Sequence, residues 1–146
     1  LAKAARRYYK EGKRARACAL YVQAAQEVAR KTLRVADISL YADRAAQYYC
    51  SAARIAFYTD EVEDGTIVDL FSKAIYYAEL ASHDDPHKFA LMVVACPLRK
   101  TMIQARDSGL RHLADALEGL LTQETAAYAL MLSNMRDLLT TITPAG

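Results

Sequence analysis

Apolar and small residues return at intervals of three and four along almost the whole chain, the spacing that gathers them on one face of an α-helix. Between Thr32 and Thr59 the positions Val35, Ile38, Ala42, Ala45, Tyr49, Ala52 and Ala56 keep this rhythm and predict one long helix. Its end is expected where Asp60, Glu61, Glu63 and Asp64 lead to Gly65, because glycine tolerates the left-handed turn that closes a helix. Thr66 then offers a hydroxyl cap to a further helix with Ile67, Leu70, Phe71, Ala74, Ala78 and Ala81 along one side.

His83, Asp84, Asp85 and Pro86 close that segment, with Asp85 read as the cap and Pro86 as the first residue of the next helix. Phe89, Met92, Val93, Cys96 and Ile103 are its expected inward positions. Pro97 lacks a backbone donor and predicts a kink or split near Cys96. Ser108 and Gly109 mark another boundary, followed by the stripe Leu110, Leu113, Ala114, Leu117, Leu120 and Leu121. A last helix is predicted through Tyr128, Met131, Met135, Leu138 and Ile142, ending before Pro144. No strand-like alternation or hairpin turn pair interrupts the series. The expected fold is all-α, an antiparallel bundle or repeat of five to seven helices, forming one domain over 1–146 with 83/84 as the place for a subdivision into 1–83 and 84–146.

Composition agrees with this pattern: 53% of residues are hydrophobic, 25% are charged and only five are glycine, which points to a compact helical domain and away from a disordered chain. Uncharged stretches such as Phe89 to Leu98 reach about half the length of a membrane-spanning helix, so no transmembrane segment is expected. The first residue is Leu1 and no basic-then-apolar leader follows it, so the chain is expected to be a piece of a longer protein. Cys18, Cys50 and Cys96 are odd in number, far apart and without CxxC spacing. They are read as small core groups in a reducing compartment, cytoplasm or nucleus.

Charge changes the picture more. Residues 1–34 hold ten basic side chains against Glu11 and Glu27, a local excess of +8 in a chain whose net charge is only +2. Such asymmetry marks an interaction surface or an intramolecular complement. Lys3, Arg6, Arg7, Lys10, Lys13, Arg14 and Arg16 are the candidate basic patch, suited to an acidic peptide, nucleic acid or anionic lipid. A solvated outer face is the plainer account of the same residues.

The stretch AARRYYKEGKRARACALYVQAAQE resembles the tetratricopeptide repeat: Tyr8, Gly12, Ala17, Tyr21 and Ala24 fall at the spacings of that helix-pair pattern, with Leu1 and Ala5 in its preceding places. Gly12 would permit a tight turn, Ala17 a close helix approach and Tyr21 would fill the groove between the helices. The pattern covers one helix pair and does not recur at a 34-residue period. The strings ALYVQAAQEVARKTL, LYADRAAQYYCSAARIAFYTDEVEDG and SKAIYYAEL are also similar to helices of microtubule-interacting and trafficking (MIT) modules, particularly the tandem pair of autophagy-initiating kinases. Either resemblance implies a non-enzymatic module that binds a peptide segment or helix of a partner protein in a groove between helices.

Candidate chemistry is sparse. Asp60, Asp64 and Gly65 fit the first, fifth and sixth places of a calcium loop, but Val62 and Phe71 occupy places that need oxygen ligands. His83, Asp84, Asp85 and His87 have metal-binding side chains, yet they stand where a helix start favours Asp. His112 is expected to flank the core. No GxSxG, HExxH or phosphate-cradling glycine loop is found, so the expectation is no catalytic residue, cofactor or metal. The reading is an interaction or scaffold module that takes a partner peptide or helix, or self-associates as a homodimer. The alternative is nucleic-acid or anionic-surface binding through residues 1–34.

Overall fold

A computed structural model describes residues 1–32, 38–60 and 62–123 of the chain. Among them every regular element is helical: α1 (Ala2–Lys10), α2 (Arg14–Lys31), α3 (Ile38–Phe57), α4 (Asp64–Ser82), a 3-10 turn (Asp85–His87), α5 (Ala90–Asp107) and α6 (Arg111–Gln123). The all-α antiparallel bundle predicted from periodicity is therefore the fold. The predicted helix through Tyr128, Met131, Met135, Leu138 and Ile142 lies outside the described residues, as does Val35.

Two connections use the same turn. At the end of α1, Gly12 adopts φ +81°, its N–H donates to the Tyr9 carbonyl at 3.0 Å, and the Lys13 N–H donates to Tyr8 at 2.9 Å. At the end of α5, Gly109 adopts φ +81°, its N–H donates to Arg106 at 3.1 Å, and the Leu110 N–H donates to Ala105 at 2.8 Å. These paired bonds satisfy helix-end carbonyls, and the left-handed residue between them favours glycine. Each turn reverses the chain within three residues, so α1 lies against α2 and α5 against α6.

Gly65 does not close the preceding helix. It lies in the first turn of α4, whose N-cap is the extended Glu63, so Thr66 is helical and caps nothing. The end of α3 is instead made by Tyr58 and Thr59, whose N–H groups donate back to Ile55 and Ala56, with the Thr59 hydroxyl on the Ile55 carbonyl at 2.8 Å. The start predicted at Asp85 and Pro86 is the 3-10 turn, capped in position by Asp84 without a side-chain bond, and α5 begins only at Ala90. Pro97 neither splits nor ends α5, which runs through it from Ala90 to Asp107.

α3 is the central rod, packed against α2, α4 and α5. It buries Ala42, Ala45, Ala46, Tyr49, Cys50, Ala52, Ala53, Ile55 and Ala56, more than one stripe can hold. Alanine on several sides lets neighbours approach at the short end of helix-packing distances. The α4 stripe, from Ile67 to Ala81, is buried as the spacing predicts. On α5 the inward face differs from the expectation: Ala90, Leu91, Val94, Leu98, Thr101, Met102 and Ala105 are buried, whereas Val93, Cys96 and Ile103 are exposed. Both faces of this helix carry apolar residues, so spacing alone selects neither. One buried cluster runs from Ala25 on α2 to Leu117 on α6.

Candidate partner-binding surfaces

The hairpin formed by α1 and α2 carries the candidate basic residues, and all seven side chains, from Lys3 to Arg16, are exposed. Their positions follow from the buried face of α1, where Ala5 is closed off, leaving Lys3, Arg6, Arg7 and Lys10 on the outward side. Arg7 and Lys10 also stand in the last turn of α1, where the helix dipole favours cations. Arg7, Lys13 and Arg16 place their cationic groups 5.4, 5.5 and 4.8 Å from the centre of the Tyr8 ring. Among the described residues, Lys13 alone of the seven meets a carboxylate, Glu11 at 3.7 Å. Within the described residues the patch is therefore almost unneutralised. The first turn of α2 has no acidic residue and its N-cap, Lys13, no side-chain cap bond, so the positive helix end adds to the field.

The repeat-like positions sit where α1 and α2 meet: Gly12 in the turn, Ala17 and Ala24 buried, Tyr8 and Tyr21 half-buried. Tyr21 meets Tyr48 of α3 with ring centres 6.4 Å apart. The Cys18 thiol donates to the Ala52 carbonyl at 3.4 Å, which ties α2 to α3. At the turn end of the hairpin, Arg14 Nη1 donates to the Tyr58 carbonyl at 3.2 Å, and the Tyr58 hydroxyl donates to Gln104 Oε1 at 2.6 Å. A cleft of about 210 Å³ opens beside these bonds, lined by Tyr9, Tyr21, Ser51, Arg54, Ile55 and Tyr58.

A larger groove crosses α3 between α2 and α4. Its volume is about 670 Å³, and Gln26, Ala29, Arg30, Thr32, Ile38, Tyr49, Tyr76, Tyr77 and Leu80 line it. Tyr49 and Tyr77 stack with ring centres 5.8 Å apart, and Tyr76 meets Tyr77 edge-on at 5.0 Å. Burial, with Tyr77 adding to it, pushes the Tyr49 phenol above its ordinary value, so this ring is uncharged at neutral pH. Tyr76 stays 62% exposed and Ile38 42% exposed. Lys73 stands 5.9 Å from the Tyr49 ring centre, and its bond to Asp69 raises its pKa, which keeps it charged.

Sequence reasoning missed this groove. Its visible trace is the Tyr48/Tyr49 and Tyr76/Tyr77 doublets, since adjacent helical residues point about 100° apart and only one ring of each can enter the core. Arg54 and Tyr58 in the smaller cleft carried no motif.

The histidine and aspartate group near residue 85 is spread over packing contacts. His87 Nδ1 lies 3.6 Å from Asp43 Oδ2, Asp84 accepts the Ser39 hydroxyl at 2.7 Å, and His83 and Asp85 face outward. Among the described residues no three His, Cys, Asp or Glu side chains gather as a metal site, and no helix is long and apolar enough to cross a membrane. Cys50 is buried, but Cys18 is only half-buried and Cys96 is exposed, so the core reading holds for one thiol of three. His112 is likewise exposed. Among the described residues, no helix covers the faces of α5 and α6 that carry Cys96 and His112. Comparison with protein-family models, with curated proteins and with solved structures finds no match.

Proposed function

We propose that the chain is a non-enzymatic interaction module that holds an amphipathic helix of a partner protein in the groove across α3. The observation that carries this reading is the groove itself, an open trough of about 670 Å³ with tyrosine rings on its floor and Ile38 and Tyr76 left partly uncovered. From Ile38 to Tyr49 it follows roughly 16 Å of α3 at the usual helical rise, room for about three turns. Apolar side chains at i, i+3 and i+7 of a docked helix would meet the rings.

Charge states what flanks that apolar face. Arg30 is the charged residue among those lining the groove, whereas Lys73 beside Tyr49 is already paired with Asp69 at 3.0 Å, so the partner helix carries an acidic residue facing Arg30 beside its apolar stripe. The resemblance of the first hairpin to the tetratricopeptide repeat, and of strings in α2, α3 and α4 to MIT modules, supports the same class of activity. Helical peptides selected from a displayed library against the chain should bind the native protein and lose at least tenfold affinity to Ile38→Asp and Tyr76→Ala. Both positions are exposed enough for the fold to survive, which circular dichroism would verify. Peptides that bind all three proteins equally would reject the groove as the site.

A further inference from the structure

We infer that the first hairpin carries a second docking site, for an acidic segment of a partner protein anchored by one bulky apolar side chain in the cleft between α1, α2 and α3. It shares with the preceding reading only the class of partner and uses none of the residues of the larger groove.

Arg54 of α3 lies in this cleft, Arg14 is bonded beside it, and Arg6 stands one helical turn from its lining on α1. Arg14 of α2 is held there by its bond to the carbonyl of Tyr58, itself a lining residue. Arg6 of α1 stands three residues before the lining Tyr9, hence beside it on the helix surface. Among the described residues none of the three has a carboxylate partner, and Arg14 reaches outward while spending one N–H on Tyr58. A guanidinium presents five donors in a planar fork suited to carboxylates, so each keeps capacity for an acidic side chain. Beyond these three, Lys3, Arg7, Lys10, Lys13 and Arg16 extend the positive surface along α1 and around the turn.

The centre of the cleft is apolar. Tyr9 and Tyr58 are each 48% exposed, with Tyr21 and Ile55 behind them. A cleft of about 210 Å³ admits one large side chain and excludes a whole helix. An apolar anchor flanked by carboxylates matches both features, whereas a uniform polyanion matches only the charge. The aromatic residue most enclosed by cations also fails as a platform for bases: Arg7, Lys13 and Arg16 all lie within 5.5 Å of the Tyr8 ring centre, where a stacked base would have to sit. These observations favour an acidic protein segment over nucleic acid.

The test uses four fluorescent probes: a peptide with one leucine between glutamate pairs, the same peptide with serine for leucine, the same with glutamines for glutamates, and a single-stranded oligonucleotide of equal length. The glutamate–leucine peptide should bind, with affinity falling as salt rises, and each altered peptide should lose at least tenfold. Arg54→Glu combined with Arg6→Glu should lose a further tenfold or more while the helical signal stays unchanged, and Ile38→Asp should leave binding intact. No binding of the leucine peptide, equal binding of the serine peptide, insensitivity to the arginine reversals, or tighter capture of the oligonucleotide would each overturn the inference.

Discussion

The buried face of α5 is the sharpest place to test the packing, because two truncations of equal size should differ by several kilocalories. Leu98 is 0% exposed and Ile103 is 47% exposed on the same helix. Replacing either with alanine removes three carbon atoms. At about 0.8 kcal/mol per buried methylene, Leu98→Ala forfeits roughly 2.4 kcal/mol of transfer free energy. The cavity left among its neighbours adds to this, bringing the expected loss to about 3–4 kcal/mol. Ile103→Ala forfeits about half the transfer term, leaves no closed cavity and gains a few tenths from the better helix propensity of alanine, so about 1 kcal/mol or less is expected. Urea unfolding followed by circular dichroism measures both, with unchanged slopes confirming that the unfolded reference is common. An Ile103→Ala loss equal to or above that of Leu98→Ala would refute the assigned orientation and restore the Val93, Cys96 and Ile103 face.

Two further expectations concern the turns and the thiols. Gly12→Ala and Gly109→Ala should each lower stability by about 1 kcal/mol: a new Cβ meets nothing within 4 Å at either site, so only the left-handed backbone at φ +81° is penalised. Gly65→Ala, which has space and no positive φ, should be neutral or slightly stabilising in the same unfolding assay. Burial pushes the Cys50 thiol up to about 11, with Arg54 opposing weakly. Because the folded value lies above the ordinary one near 9, the associated stability is complete below pH 9 and disappears as pH rises through about 11, roughly 3 kcal/mol in all. Cys50→Ala lacks this term, so the stability gap between native protein and variant should narrow across that window. A gap independent of pH would contradict it. Thiol alkylation of the folded protein should modify Cys96 first and spare Cys50.

Much of the candidate surface was legible as residue types but not as sites. The basic run from Lys3 to Arg16 announces itself because charge counts need no coordinates, and the Gly12 turn because a short glycine-centred break between two periodic stretches has few other meanings. The cleft that gives the charges an apolar centre draws on Tyr9, Tyr21 and Tyr58, residues up to 49 positions apart that meet only because α1 and α3 both pack on α2. Its arginine set depends on Arg14 reaching a carbonyl 44 residues away. The groove over Tyr49 and Tyr77 has the same origin, since α2 and α4 become its walls by both packing on α3.

What the sequence alone determined is therefore local: rods of 3.6-residue pitch, glycine at two reversals, and a positive first quarter. These follow from backbone geometry and from counting charges, neither of which needs a neighbour. Tertiary structure decided which flank of each rod is inside, and there the α5 stripe and the Cys96 core assignment gave way; the Gly65 stop failed locally, because Tyr58 and Thr59 close α3 and Glu63 caps α4 before it. Burial is a relation between helices, and a rod with apolar residues on two sides acquires an inside only when others close over one of them.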